Sequence, residues 1–201
     1  MIEINSSALI GKGLHRECYV HPQDKNLCIK VAVNENIKET QREQKYYRFL
    51  KRKNICWDML PKFYGNIDTN MGSGAVFDMI RNHDASVSKT LEHYLDSNEN
   101  TESHYAGLVQ SLALLKAYLL TENIITMTIK PKNILYQELD AENGRLFIVD
   151  NIGNSDLLPI CNYSKRLGNK KILRKWQRFE SSLLKTYPDN KALVRILANL
   201  N

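Results

Sequence analysis

The sequence predicts an α+β fold in which a small strand-rich part at the N-terminus precedes a compact, mostly helical part. Apolar, β-branched runs separated by turn residues dominate positions 1–80, and leucines at helical spacing dominate the later positions. A polar linker at 81–88 separates the two parts. Strands collected in one stretch and helices in another are typical of the α+β class, so we expect one domain over residues 1–201 with lobes at 1–80 and 83–201.

The N-terminal part is expected to form an antiparallel sheet with one helix. Residues 35–53 are highly charged, but Tyr46, Tyr47 and Leu50 recur on one side, which predicts a surface helix with an apolar face. Turns rich in glycine, asparagine and proline separate the strands. The strand candidates are residues 7–13, 15–21, 27–33, 63–67 and 75–80.

The later part is expected to be helical around one short hairpin. Residues 96–101 are rich in helix-capping side chains and are expected to form a loop, after which leucines at helical spacing predict a long helix that ends near position 120. Short apolar runs at 133–136 and 146–149 predict the hairpin. The chain is expected to become helical again from about residue 169.

Composition and charge narrow the class of protein. With 201 residues, 43% of them hydrophobic, the chain can bury a sizeable core, and no apolar run is long enough to predict a transmembrane segment. The four cysteines show no paired spacing, which predicts reduced thiols and a cytoplasmic protein. The net charge of +6 favours acidic partners such as nucleotides, and no pattern indicates nucleic acid in particular.

A basic and apolar stretch at 170–179 has two interpretations. In the first, Leu173, Trp176, Phe179 and Leu183 pack into the helical part, and the lysines and arginines form its solvated side. In the second, the basic surface binds a membrane surface or an acidic partner, which would make the chain a non-catalytic regulatory adaptor. The first interpretation is favoured because it explains the apolar spacing without a partner.

The most specific motif covers residues 126–133, Thr-Met-Thr-Ile-Lys-Pro-Lys-Asn, which resembles the second half of the kinase catalytic loop, H-R-D-L-K-P-x-N. In that alignment Asn133 would bind a metal ion and Lys130 would contact the transferred phosphate. Asp150 follows an apolar run and would bridge Mg²⁺ to the phosphates, although its glycine, Gly153, falls one place later than in D-F-G.

Residues typical of the phosphate side of a kinase are present in the N-terminal part. Gly11-Lys12-Gly13 lies between two strands, where glycines let backbone amides approach phosphates, and Lys30 ends an apolar strand as the phosphate-binding lysine of kinases does. Glu43 is the acidic partner proposed for Lys30, with Glu39 as its rival. Met79, in the hinge expected near residues 78–80, would present backbone groups to the adenine. One departure is Arg16, which stands where the kinase loop has a third glycine.

The sequence differs more from the kinase pattern at the positions that bind and activate the phosphate acceptor. Thr128 occupies the position of the catalytic aspartate, Met127 replaces the adjacent arginine, and no Ala-Pro-Glu motif follows Asp150. Asp156 could substitute as the base only if the chain after Gly153 folds back. Protein-kinase activity of the usual type is therefore not expected. Two hypotheses remain: an atypical phosphotransferase with an unknown protein or small-molecule acceptor, and a nucleotide-binding pseudokinase.

Taken together, these segments resemble the bacterial YrbL family, described as belonging to the PhoP regulatory network. The resemblance is strongest over residues 125–135 and 150–155 and is supported by 42–47 and 11–13. It implies a minimal bilobal protein-kinase-like fold, with a small antiparallel-sheet N-lobe holding one helix and a compact helical C-lobe. It also implies ATP and Mg²⁺ as cofactors, but it indicates a fold more firmly than a reaction.

Overall fold

The structure is a computed structural model that describes residues 1–13, 15–33 and 38–200, apart from the side chains of Lys38 and Glu39. The chain divides into two compact units. The first unit comprises Met1–Trp57 and Pro61–Ile80, and the second comprises Asp58–Leu60 and Arg81–Asn201. The predicted α+β class is confirmed, because the first unit is built on an antiparallel sheet and the second is mainly helical.

The first unit contains one five-stranded antiparallel sheet. Its strands stand in the order β1-β2-β3-β5-β4, and a 3-10 helix at Ser6–Ala8 precedes them. The first strand candidate therefore starts later than residue 7. The hairpin between β4 and β5 has a shorter loop than the sequence suggests, because Gly72 adopts φ 100 and lets the chain reverse at once. The strands are β1 Leu9–Lys12, β2 Arg16–His21, β3 Asp24–Ala32, β4 Phe63–Thr69 and β5 Gly72–Asp78.

The two faces of this sheet bury different side chains. Because side chains alternate along a strand, Ile29 and Val31 of β3 face one side and Lys30 faces the other. The first face packs a cluster of buried apolar residues, namely Ile4, Tyr19, Ile29, Val31 and Val76.

Helix α1, Lys38–Lys53, packs over the opposite face, where Tyr47 meets the ring of Phe77 at 5.3 Å. The predicted helix is thus confirmed over its described residues. The predicted start, at 35–37, lies outside the residues that the structure describes.

The second unit has six α-helices among its described residues and a three-stranded sheet in the order β6-β7-β8. The β7–β8 hairpin confirms the predicted one, whereas the short strand β6 was not predicted. The interval 96–101 is mostly helix rather than loop, because Ser97 caps α3 through the backbone amide of Asn100. The elements are α2 Leu91–Leu95, α3 Asn98–Ser103, α4 Tyr105–Glu122, α5 Ile160–Tyr163, α6 Lys165–Thr186, α7 Lys191–Ala198, β6 Lys89–Thr90, β7 Ile134–Glu138 and β8 Gly144–Ile148.

The core of the second unit forms around α4 and α6. Four leucines of α4 at the predicted helical spacing are buried, namely Leu108, Leu112, Leu115 and Leu119. In α6, Trp176, Phe179 and Leu183 are buried as expected. Leu173 is not buried: it is exposed, and Ile172 occupies the inner position instead. None of the helices in the described residues is both long and apolar enough to cross a lipid bilayer.

Candidate functional site

The segment that resembles a kinase catalytic loop is anchored on both sides by backbone contacts. Helix α4 ends at Asn123, which adopts a left-handed conformation at φ 50, and the following Ile124 and Ile125 are fully buried. Thr126 forms an isolated bridge with Ile152. The amide of Met127 donates to the carbonyl of Asn151 at 2.7 Å. The chain therefore leaves the core at Thr128, the first exposed residue of the loop.

The same loop brings Asn133 next to the strand end that carries Asp150. A 3-10 helix, Pro131–Asn133, leads into β7, and the amide of Val149 donates to the carbonyl of Asn133 at 2.9 Å. The two predicted metal ligands thus lie at the same end of the β7–β8 hairpin. Asp150 Oδ1 accepts the amide of Asn151 at 2.7 Å, which orients the carboxylate.

This donor set fits a hard cation. A carboxylate and an amide oxygen are ligands that Mg²⁺ accepts, and Mg²⁺ commonly takes its remaining ligands from substrate phosphates and water. Among the residues that the structure describes, no group of three or more His, Cys, Asp or Glu side chains could hold a metal. The pair would therefore suit a Mg²⁺ that arrives with a polyphosphate rather than a cation held by protein alone.

The two predicted catalytic side chains on this loop face solvent. Thr128 and Lys130 are both exposed, and Lys130 sits at the start of the 3-10 helix, where the amide of Asn133 donates to its carbonyl at 2.9 Å. A threonine hydroxyl is not a carboxylate, so it cannot accept a proton at neutral pH as the missing aspartate would. Thr128 therefore presents a hydroxyl and no carboxylate at this position of the loop.

Lys175 of α6 is a residue of the site that the sequence did not indicate. Its ammonium donates to the carbonyl of Met127, the residue directly before Thr128. Burial lowers the pKa of Lys175, and the positive charge of Lys171 lowers it further, against the opposing effect of Asp156. In the sequence this lysine looked like one of many solvated cations on α6, so only the folded chain could reveal its contact.

Asp156 does fold back, but toward a lysine. Its carboxylate pairs with Lys171 Nζ at 2.6 Å, and Lys171 also donates to Asn154 Oδ1 at 2.6 Å. The hydrogen bond from Lys171 holds the pKa of Asp156 below its usual range. A carboxylate with a lowered pKa is a weaker base, so this geometry does not favour Asp156 as a replacement for the catalytic aspartate.

In the first unit, Lys30 lies among residues of the α1 side of the sheet. It pairs across β3 with Cys18 of β2 and Ala75 of β5, and its ammonium stands 4.6 Å from the centre of the Phe77 ring. Cation–π contact with a buried ring holds a lysine in place while leaving its hydrogen-bond donors to other partners. Lys30 is therefore an oriented cation rather than a freely solvated one.

Glu43 is the buried acidic residue of α1. It is 1% exposed, and its carboxylate forms an ion pair with the guanidinium of Arg16 from β2. The rival Glu39 has a side chain outside the described part of the structure. A direct contact between Glu43 and Lys30 stays a prediction. Arg16, which the sequence flagged only as a departure from the glycine pattern, is thus a partner of the predicted site.

The glycine turn is formed by the end of β1 and the residues after it. Gly11 pairs with Cys18 across the hairpin, and a methyl group added at Gly11 would meet nothing within 4 Å. Its backbone therefore lies beside open space. Lys12 Nζ pairs with Glu17 at 2.8 Å, so the hydrogen bond with Glu17 raises the pKa of Lys12. The amide of Gly13 donates to the carbonyl of Arg16 at 2.8 Å.

Met79, the predicted adenine-binding position, is buried at the end of the first unit. Its amide donates to the carbonyl of Asn26 at 2.8 Å, so this donor already has a partner within the unit. The preceding Asp78 is held by its side chain, which accepts the amide of Lys62 and the hydroxyl of Tyr64, both at 2.7 Å. The hydrogen bond to Asp78 raises the pKa of Tyr64 to about 12.

Comparison with solved structures bears on the fold. A chain of the CAK complex from Chaetomium thermophilum, solved bound to ATP-gamma-S, is similar with a TM-score of 0.52 and 18% identity. The match covers 71% of the present chain but only 44% of that chain, so this protein spans less than half of its length. At this identity the likeness shows the fold alone, and it confirms the prediction of a protein-kinase-like fold.

Comparison with sequences bears on the family. The proteins named YrbL in Escherichia coli (strain K12) and in Shigella flexneri are each 37% identical to the chain over 182 residues, which are 89% of this chain and 86% of either relative. The family model described as PhoP regulatory network protein YrbL matches residues 2–184. The chain therefore belongs to the YrbL family, as its loop and strand-end motifs predict.

Proposed function

We propose that this protein binds ATP with Mg²⁺ and transfers phosphate to protein substrates slowly or not at all. The proposal depends on the backbone contact that brings Asn133 to the end of β8, next to Asp150. The loop just before Asn133 has Thr128 at the position where kinases have the catalytic aspartate. The CAK structure, which has the same fold, was solved bound to ATP-gamma-S, and this supports a nucleotide as the ligand.

Each retained residue has a role in this proposal. Lys30 contacts the α- and β-phosphates, Glu43 helps to orient it, and the open backbone at Gly11 lies near the phosphates. Lys12 and Gly13 flank that backbone, and the hinge at Met79 faces the adenine. Asn133 and Asp150 hold the metal ion, and Lys130 lies near the γ-phosphate.

The ion pair of Glu43 with Arg16 adds a feature to the usual scheme. In kinases the glutamate of this helix pairs with the phosphate-binding lysine, and both must be in place for activity. Here the guanidinium of Arg16 stands beside the buried glutamate. We propose that the ion pair with Arg16 fixes the position of Glu43, so that bound phosphates and Glu43 together position Lys30.

The loss of the catalytic aspartate sets the expected rate. A positioned general base contributes roughly a hundredfold to ten-thousandfold, which corresponds to about 3–5 kcal/mol of activation free energy. Phosphoryl transfer depends mainly on positioning and charge stabilisation, which the metal ligands and Lys130 would still supply. Slow transfer to an unusual acceptor is therefore the second candidate function, and the retention of Lys130 beside Thr128 favours it.

Binding of nucleotide is tested by thermal-shift titration with ATP, with and without Mg²⁺. We expect stabilisation that requires Mg²⁺ for its full size and that weakens in the Asp150→Ala and Lys30→Met variants. Lys132→Met is the matched control, because Lys132 is an exposed lysine next to Asn133 with no assigned role. If ATP gives no stabilisation under either condition, the proposal is wrong.

Transfer is tested separately with ATP labelled at the γ-phosphate. We expect little incorporation by the wild-type protein and an increase of roughly a hundredfold or more in Thr128→Asp, since that change restores the missing base. Asp150→Ala combined with Thr128→Asp is the control and should abolish the gain. Fast transfer by the wild-type protein that is lost in Asp150→Ala would instead establish the phosphotransferase.

A further inference from the structure

A segment of the second unit displays large apolar side chains to solvent. Residues 155–160 are all exposed, and Leu157 and Leu158 within them are 97% and 68% exposed. The run continues through Ile160, Tyr163 and Leu167, which are 54%, 76% and 46% exposed. Single exposed leucines are ordinary, but five large exposed apolar side chains within eleven positions are a concentration of the kind found at interaction sites, and they are called the apolar patch below.

The segment is held in place by polar contacts on its inner side. Lys171, itself buried, binds both Asp156 and Asn154, and the side-chain amide of Asn123 donates to the carbonyl of Cys161 at 3.0 Å. Asn154 also donates to the side chain of Asn162 at 3.0 Å. The backbone of this segment is therefore anchored to the rest of the unit, although its apolar side chains point into solvent.

The charged residues within this stretch of the chain have one sign. Residues 157–179 contain seven lysines and arginines and no aspartate or glutamate. On α6 the exposed Arg166, Lys170 and Arg174 recur every fourth residue, so they share one face of the helix. The exposed Leu167 and Leu173 lie on the same face, which makes this side of α6 both basic and apolar. Asp156, at the edge, is paired with Lys171.

We propose that this surface, formed by Leu157, Leu158, Ile160, Tyr163 and Leu167 with Arg166, Lys170 and Arg174, binds the surface of an anionic lipid bilayer. Apolar side chains that project beside basic ones are suited to an interface where acyl chains lie just beneath acidic headgroups. A protein partner would need a groove matched to Leu157, whereas a bilayer accepts a projecting side chain without one. The proposal is independent of nucleotide binding.

The test is flotation of the full-length chain with vesicles of phosphatidylcholine alone or with phosphatidylglycerol. We expect binding to the anionic vesicles, a decrease with added salt, and little binding to phosphatidylcholine alone. Leu157→Ser combined with Leu158→Ser, and Lys170→Glu combined with Arg174→Glu, should each lower the partition coefficient at least tenfold. The four side chains are exposed, so circular dichroism should show unchanged folding.

The matched controls are Leu114→Ser and Val194→Ser, which remove apolar side chains that are 48% and 47% exposed on α4 and α7. They should bind anionic vesicles as the wild-type protein does. No binding to anionic vesicles, or equal losses in the patch variants and the controls, would overturn the proposal. The proposal would also be overturned if light scattering showed a self-associated form, if the changes at Leu157 and Leu158 converted it to monomers, and if the protein did not bind vesicles. The patch would then join two copies of the chain.

Discussion

Replacing Arg16 by methionine tests whether the buried ion pair with Glu43 holds the first unit together. The side chain of Glu43 is 2% exposed and that of Arg16 is 15% exposed, so the pair is largely shielded from water. Breaking a buried ion pair by removing one partner typically costs about 3–5 kcal/mol of unfolding free energy. Arg16→Met should therefore lower the free energy of unfolding by about that amount.

The double variant Arg16→Met/Glu43→Met gives the decisive comparison. Replacing both charges with apolar side chains of similar volume removes the buried carboxylate together with the cation, so a large part of the loss should be recovered. Lys12→Met is the control, because it removes a cation that pairs with Glu17 at the surface of the same hairpin, and it should change stability little. Urea unfolding followed by circular dichroism measures all four proteins. An Arg16→Met variant as stable as Lys12→Met, with no recovery in the double variant, would refute the reasoning.

Two further predictions concern the glycines Gly153 and Gly11, which are compared with each other, and the pKa of Asp156. Gly153 adopts φ 143, so Gly153→Ala should cost roughly 1–3 kcal/mol of unfolding free energy in urea, whereas Gly11→Ala should leave stability unchanged and weaken ATP binding by blocking the backbone. Equal effects of the two changes on stability would contradict this. Lys171→Met should raise the pKa of Asp156, measured by carboxyl-carbon NMR. The pKa of Asp156 is lower in the folded state than in the unfolded state, so the ionised carboxylate stabilises the fold at pH values above its unfolded pKa. This stabilisation is lost as the pH falls through the folded-state pKa. It amounts to less than about 1 kcal/mol, because the side chain is half-exposed. The stability difference between Lys171→Met and wild type should accordingly narrow below about pH 4, and a difference that widens on acidification would contradict the assignment.

The sequence was sufficient for the parts of the fold that depend on local periodicity. The leucines of α4 and the paired apolar runs of β7 and β8 carry their own spacing, so both elements were predicted close to their observed bounds. Two short elements were not predicted. Helix α3 was taken for a loop because its capping residues are also loop residues, and strand β6 has too few residues to produce a pattern.

The candidate site shows the same limit. Asn133 and Asp150 were identified because each lies in a motif with fixed spacing, and the β7–β8 hairpin does bring them to one end. The contacts of Arg16 with Glu43 and of Lys175 with Met127 join residues that are 27 and 48 positions apart. No local pattern reports such a contact. Leu173 was assigned to the core although it is exposed, because a shift of one residue on α6 rotates a side chain by about 100° around the helix axis, which is enough to carry it out of the buried face.

The most direct test is a crystal structure with Mg²⁺ and an ATP analogue that cannot transfer its γ-phosphate. We predict a metal ion bound by Asn133 Oδ1 and the carboxylate of Asp150 at about 2.1 Å, with Lys30 on the α- and β-phosphates and the hydroxyl of Thr128 facing the γ-phosphate. Such a structure would agree with a nucleotide site that is retained while its catalytic base is lost. A nucleotide bound elsewhere, or bound without a metal ion at this pair, would contradict the account.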